Sequence, residues 1–438
     1  MMEWWLIVSL FFGIFLILMF AGIPVVFAFL VTNIIIISSV IGFEIGLAQL
    51  VKSMYSAVTN FSLTPIPLFV LMGELLFYSG VALTTLNVIN KLLGKLPGRL
   101  SVLSIASGTM FAALSGSSIA NTSMLGSILA PEMKNKGYHT TMSIGPIMAA
   151  GSLAMIIPPS AMIVLMGGIA SIAVGPLLIG GVIPGILMAS LFIGYIIIAC
   201  LINPSLAPKE IKEEKIIWKD MIKSFVFDIA PLFIIIFCVI GFILLGIATP
   251  TEAAAVGTLA ALIIVALKKK LNYKVIEKSI TGTLKISGMI LLIVATSVGF
   301  GQLLSFSGAS RDMVDFISNI GLNTLMVVII FLLIVFLLGF FVEPISVMMI
   351  TLPLFVPILT SLDVNLIWFG IMMLICLDLG NITPPVGMLL FVMKGVRPDV
   401  PMVDIYKSAI PFVLLELSVV ILILIFPSIV LWLPGSIS

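Results

Sequence analysis

The stretches GSLAMIIPPS (Gly151–Ser160) and DLGNITPPVG (Asp378–Gly387) decide how this chain folds. Each sets a Pro-Pro pair inside a long apolar run, and Pro384 follows Pro158 by 226 residues. Proline offers no N–H to the helical ladder and its ring collides with the preceding turn, so a tandem pair breaks a helix and frees carbonyls. Such a break inside a membrane is tolerated only where it is enclosed by protein or lines a cavity. Other pairs recur at nearly the same offset. Pro24 and Pro250, and Pro131 and Pro357, are 226 apart, while Gly168 and Gly395, and Pro184 and Pro411, are 227 apart. The Gly73-Glu74-Leu75-Leu76 to Ser79-Gly80 run returns as Gly301-Gln302-Leu303-Leu304 to Ser307-Gly308, 228 residues on. A near-constant offset of this kind marks an internal repeat.

The composition names the solvent. Of 438 residues, 61% are hydrophobic and 9% charged, against roughly 25% charged in an average soluble domain. With a mean hydropathy of +1.34, the chain reads as an all-α polytopic protein of the lipid bilayer. One histidine (His139) and three scattered cysteines (Cys200, Cys238, Cys376) exclude a His/Cys metal centre and a disulfide framework. The net charge of +2 points to no nucleic-acid partner. The apolar run from Trp4 has no basic segment before it, so it reads as a first span rather than a signal peptide.

At about 20 apolar residues per crossing, the expected spans are 4–21, 24–42, 65–88, 142–172, 176–203, 228–247, 250–267, 284–306, 364–394 and 405–433. The stretches 101–130 and 323–360, interrupted near their middles, read as re-entrant hairpins, and 43–64 as an interfacial arm. With the first span starting outside, 19 of the 21 basic residues then face the cytoplasm and only Lys52 and Arg311 do not. Both termini are external in this reading. A polar linker, 204–227, separates a first repeat (1–203, with hairpin 101–130 and broken helix 142–172) from a second (228–438, with hairpin 323–360 and broken helix 364–394). An odd number of spans per half inverts the second relative to the first, the architecture of many secondary transporters.

Matched interruptions in two inverted halves point to a transport site. The hairpin tips are Ser115-Gly116-Ser117-Ser118-Ile119-Ala120-Asn121-Thr122 and Phe341-Val342-Glu343-Pro344-Ile345-Ser346; the two Pro-Pro breaks are their partners. Freed carbonyls and Ser, Thr or Asn oxygens are hard ligands suited to Na⁺. The half-helix starts after the breaks suit a substrate carboxylate, which puts Ser160, Asn381, Val386 and Gly387 among the substrate-binding candidates. The blander reading makes Ser117, Ser118 and Thr122 small-residue helix packing, a role that fits Ser115 and Ser127 better. Acids at membrane depth are costly, so Glu343 and Asp378 are functional candidates. Glu74, Glu252 and Glu416 are expected near interfaces or as helix caps, and His139 at the surface.

At these residues the chain resembles the large membrane subunit of tripartite ATP-independent periplasmic (TRAP) transporters, over essentially its whole length. The ordered series carrying the resemblance runs from Thr64-Pro-Ile-Pro67 and Met72-Gly73 through SGSSIANTS and Pro131-Glu-Met133. It continues through IIPPS at 156–160, Val182-Ile-Pro-Gly185, Thr249-Pro-Thr-Glu-Ala-Ala-Ala255 and Ile382-Thr-Pro-Pro-Val-Gly387. The resemblance implies a Na⁺-driven symporter with an elevator-type transport domain in the inner membrane. It also implies a separate small membrane subunit (Q) and a periplasmic solute-binding protein that delivers an organic anion, a carboxylate or acid sugar. Carried over by motif, Ser117, Ser118, Asn121, Gly151, Ser152 and Pro158 would form one Na⁺ site, and Glu343, Gly380, Thr383 and Pro384 would help form the other. The Glu343-Pro344-Ile345-Ser346 tip departs from the Thr-rich tip common in the family.

Competing readings are a stand-alone sodium/carboxylate symporter of similar fold, an intramembrane enzyme and a channel. The chain carries no Walker motif and no metalloprotease or acyl-transfer signature, so no catalytic residue is assigned and no organic cofactor is expected.

Overall fold

The computed structural model describes residues 4–40, 42–208 and 225–436, and every element in them is helical. Most of the expected linker, Lys209 to Lys223 included, lies outside the described residues. The first series comprises α1 (Trp4–Phe20), α2 (Val25–Val40), α3 (Phe43–Val58), α4 (Pro65–Tyr78), α5 (Val81–Leu92), α6 (Arg99–Ser115), α7 (Ser118–Asn135), α8 (Thr140–Ser152), α9 (Ala161–Ala170), α10 (Val174–Gly180) and α11 (Val182–Ile202). The second comprises α12 (Ala230–Leu244), α13 (Pro250–Leu267), α14 (Tyr273–Phe306), α15 (Ala309–Ile320), α16 (Thr324–Gly339), α17 (Pro344–Ser361), α18 (Leu366–Ile382), α19 (Met388–Val396), α20 (Met402–Ile425) and α21 (Ser428–Gly435). The starts of α12, α13 and α15 to α20 follow those of α1, α2 and α5 to α10 by 225 to 228 residues. In place of α3 and α4 the second series has one helix, the 34-residue α14.

Local chemistry sets these boundaries. The expected span 65–88 is two helices because Gly80, at φ +66°, turns the chain between α4 and α5. The expected span 405–433 is likewise split, with Pro427 beginning a new turn after α20. The expected span 284–306 is only the apolar end of α14, whose first turns carry Lys274, Glu277 and Lys278. At α13, Thr249 and Glu252 form a reciprocal capping box, so Glu252 is a cap as expected. His139 caps α8, accepting from the Thr141 N–H.

Among the described residues, seven helical stretches are long and apolar enough to cross a membrane: Phe61–Tyr78, Val174–Ile202, Phe225–Leu244, Pro250–Leu267, Tyr273–Phe306, Pro344–Ser361 and Met402–Ile425. The broken segments 142–172 and 364–394 each appear as two short helices, α8 with α9 and α18 with α19.

The helices sort by what they touch. α14 packs on α2, α3 and α4, and α13 on α4 and α12, which makes a frame that α14 also brings against α17. Inside it α6 and α7 pack on α8, α16 on α18, and α8 and α18 both on α20. The frame leaves apolar side chains outward, among them Ile17, Phe20, Phe237, Leu259 and Leu267. So much exposed apolar surface suits lipid as the solvent and would aggregate in water. α8 and most of α18 are sealed, with every residue from Met142 to Ser152 and from Phe369 to Ile382 buried, whereas α16 and α20 each keep one apolar face exposed, Met326 and Leu333 on the first and Leu414 and Ile421 on the second.

Candidate cation and substrate site

In the first half, α6 ends at Gly116, which adopts φ +59° and hands the chain to α7. Ser117 caps α7, accepting from the Ala120 N–H at 3.3 Å. The tip abuts the second half-helix, because a Cβ on Gly116 would lie 3.4 Å from the Ala161 nitrogen at the start of α9. On the other side, Gly151 of α8 lies against α7 so closely that a Cβ there would overlap the Thr122 hydroxyl and come 3.1 Å from the Ser118 carbonyl oxygen. Asn121 ties three helices together. Its side-chain amide donates to Gly108 O of α6 at 3.1 Å and to Ala150 O of α8 at 2.8 Å.

These contacts leave oxygens over. Ser118 Oγ, Asn121 Oδ1 and Thr122 Oγ1 are all buried without a hydrogen-bond partner, a costly condition for a polar atom in a protein interior. They are neutral, hard donors beside a broken helix, which suits Na⁺. Among the described residues no group of three His, Cys, Asp or Glu side chains could hold a metal ion instead. Ser160 caps the break internally through a 2.8 Å bond from its hydroxyl to Met155 O. Pro158, in a cis bond to Pro159, faces an apolar crevice with Leu178, Ile179, Val239 and Ile243, so only its carbonyl could serve a cation.

In the second half, α16 meets α18 at Gly339 and Gly380, where a Cβ on Gly380 would fall 2.8 Å from the Gly339 backbone. Glu343, four residues beyond Gly339, caps α17 by its backbone, with no side-chain hydrogen bond to the cap, and Ser346 is buried one turn on. The Thr383 hydroxyl donates to Leu379 O at 2.5 Å. Gly387, at φ +30° just before α19, lies so close to the break that an added Cβ would come 2.8 Å from both the Asn381 and the Thr383 carbonyl oxygens. Asn381 is buried with Oδ1 unpartnered. Pro384 and Val386 are half-buried, and the Pro385 carbonyl accepts from the Tyr406 hydroxyl at 2.6 Å.

One residue departs from expectation. Glu416 lies at neither an interface nor a cap: it is fully buried in α20, with Oε1 2.5 Å from the Ser152 hydroxyl. Asp378, also fully buried, is within electrostatic reach of it. The run PFVLLELSVV shows a lone acid in an apolar helix, and the side chain that explains it is 264 residues away. Glu74 packs against Gly282 of α14, half-buried in the frame and far in sequence from either break.

Residues 12–429 match the family model described as "Tripartite ATP-independent periplasmic transporter, DctM component". The chain belongs to the TRAP transporter family as its large permease component. A putative TRAP large permease of Haemophilus influenzae is 31% identical over 373 residues, covering 85% of this chain and 91% of that protein. The C4-dicarboxylate TRAP large permease of Pseudomonas aeruginosa is 28% identical over 390 residues, 88% of this chain and 89% of that one. The sialic acid TRAP large permease of Vibrio cholerae is 28% identical over 422 residues, 95% and 96%. In fold, this TRAP permease is similar to the YdaH transporter of Alcanivorax borkumensis, with TM-score 0.66, 13% identity, and 88% and 89% of the two chains covered. It is also similar to MtrF of Neisseria gonorrhoeae, with TM-score 0.62 and 16% identity over 88% and 84%. A TRAP permease is a membrane transport component, so the enzyme reading falls.

Proposed function

We propose that this TRAP large permease couples Na⁺ to the inward movement of an organic anion, a carboxylate or acid sugar. The observation that carries this reading is the pairing of a hairpin tip with a broken helix in each half, Gly116 against α9 and Gly339 against Gly380, around buried oxygens that lack partners. Ser117, Ser118, Asn121, Gly151, Ser152 and the Pro158 carbonyl would hold one Na⁺; Glu343, Gly380, Thr383 and Pro384 would contribute to a second. Ser160, Val386 and Gly387 stand where the second half-helices begin, whose N–H groups and positive dipole ends favour a carboxylate, and Asn381, in the last turn of α18, completes the substrate-binding set. The two-repeat division at 1–203 and 228–438, with inverted topology and external termini in the inner membrane, follows from the charge distribution and the near-constant offset. α6 to α9 and α16 to α20 pack on one another around the buried α8 and α18, which suits an elevator in which they move as one body against the frame.

A small Q subunit covering part of the frame and a periplasmic binding protein delivering the solute complete the reading; the names of the relatives support both only through the family. The test is reconstitution in proteoliposomes with the small subunit, offering a panel of radiolabelled acids with and without the binding protein. Uptake of an acid only when its binding protein is present supports the reading. Equal uptake without any binding protein would overturn the three-part assignment.

A further inference from the structure

The oxygens proposed for the first cation site are all neutral, and the second has only Glu343. Yet two more carboxyls are sealed beside these sites. Glu416 reaches the first through its 2.5 Å contact to Ser152. Asp378 stands two residues before Gly380, on the same helix, α18, that carries the second. Glu416 Oε2 and both oxygens of Asp378 have no hydrogen-bond partner, and both residues are 0% exposed.

Among the described residues no basic side chain answers them. α8, α16 and α18 contain no Lys or Arg. On α20, Lys407 stands nine residues before Glu416, about 13 Å along a helix axis. On α19 and the loop after it, Lys394 donates to Pro398 O and Val400 O, and Arg397 is paired with Asp399. Carboxylates without counter-ions at membrane depth are expensive, and so is a Na⁺ stripped of water among neutral ligands. Placed side by side, each removes the other's cost.

We propose that Asp378 and Glu416 are a shared buried counter-charge for both cation sites, so that neutralising either acid weakens Na⁺ at both; this rests on the Na⁺-coupled reading above. They act through the field and through Ser152 rather than by touching substrate, which makes them positioning residues. In a low-dielectric interior a unit charge acts well beyond its own contacts, so a carboxylate on one side of the pair is felt at the other.

The experiment is Na⁺ titration of the purified full-length permease, by radiolabelled Na⁺ binding and by thermal shift in NaCl against choline chloride. Glu416→Gln keeps the hydrogen bond to Ser152 and removes only the charge. Its half-saturating Na⁺ concentration is expected to rise about tenfold, as for a unit charge ~10 Å away at an effective dielectric of ~20. A rise of similar factor is expected when Glu416→Gln is added to Asn121→Ala, which already disables the first site, and Glu416→Asp should restore most of the affinity. Asp378→Asn carries the same test should Glu416→Gln fail to insert. An unchanged titration in a folded variant, or an effect that disappears in the Asn121→Ala background, would overturn the shared counter-charge and leave the Na⁺ reading standing. Absence of saturable Na⁺ binding in the wild type would instead remove the reading itself.

Discussion

The hydroxyl of Ser152 lies 2.5 Å from Oε1 of Glu416, joining the broken helix of the first half to the last long helix of the second. Among the described residues Ser152 is the one hydrogen-bond partner of that carboxyl, since Oε2 has none. Ser152→Ala should therefore strand a buried carboxyl, at about 1–3 kcal/mol for an unsatisfied buried polar group. The check is thermal unfolding in detergent without Na⁺, where the variant should melt earlier. An unchanged midpoint would show that the contact contributes nothing.

The crossing of α16 and α18 depends on two glycines. An added Cβ at Gly380 would meet the Gly339 backbone at 2.8 Å, whereas one at Gly339 would meet the Gly380 Cα at 3.3 Å. Overpacking of this kind costs about 1–3 kcal/mol. Gly380→Ala should be the more damaging of the two, and Gly395→Ala, with nothing within 4 Å, should be silent. Ranking the three by folded yield and thermal midpoint tests the crossing; a Gly395→Ala as harmful as Gly380→Ala would contradict it.

What was readable in the sequence and what was not follow from range. SGSSIANTS and the two Pro-Pro runs stand out because polar and helix-breaking residues are rare in so apolar a chain, and the sites they mark are local. Glu44 and Lys52 set the 43–64 stretch apart from the spans, and most of it is the helix α3. Glu416 was not legible, because its meaning rests on Ser152 and Asp378, which no periodicity connects to it. The continuity of α14 was hidden for a different reason: its polar first turns look like a loop to a hydropathy argument, although a helix can continue past the bilayer. Gly80 and Pro427 divided two expected spans by backbone geometry that length alone ignores.

At the cytoplasmic end proposed for α7, Arg397 and Lys134 both bind Asp399, at 2.7 Å and 2.8 Å. Hydrogen bonds from Arg397 first, and from Lys134 second, hold the Asp399 carboxyl well below the usual carboxylate range. A depressed folded pKa contributes stability that is present above the unfolded value of about 3.9 and is lost as pH falls through the folded one. The difference between wild type and Asp399→Asn should therefore be the same at pH 7 and pH 5.5. Thermal unfolding at both values decides it; a difference that shrinks between them would contradict the assignment.

Topology has its own test. In a background lacking Cys200, Cys238 and Cys376, single cysteines beside Lys134 and beside Arg311 should react with impermeant reagents from the cytoplasmic and external faces respectively. Labelling of the Lys134 position from outside would mean that a hairpin crosses, and the inverted arrangement would fall.

The central claim is coupling to Na⁺, and it is tested most directly in proteoliposomes holding this permease, its small membrane subunit and the binding protein with its labelled acid. An inward Na⁺ gradient alone, without ATP, should drive accumulation, and Asn121→Ala or Thr383→Ala should raise the Na⁺ concentration needed for half-maximal uptake. Accumulation that proceeds equally in Na⁺-free choline medium would contradict the account.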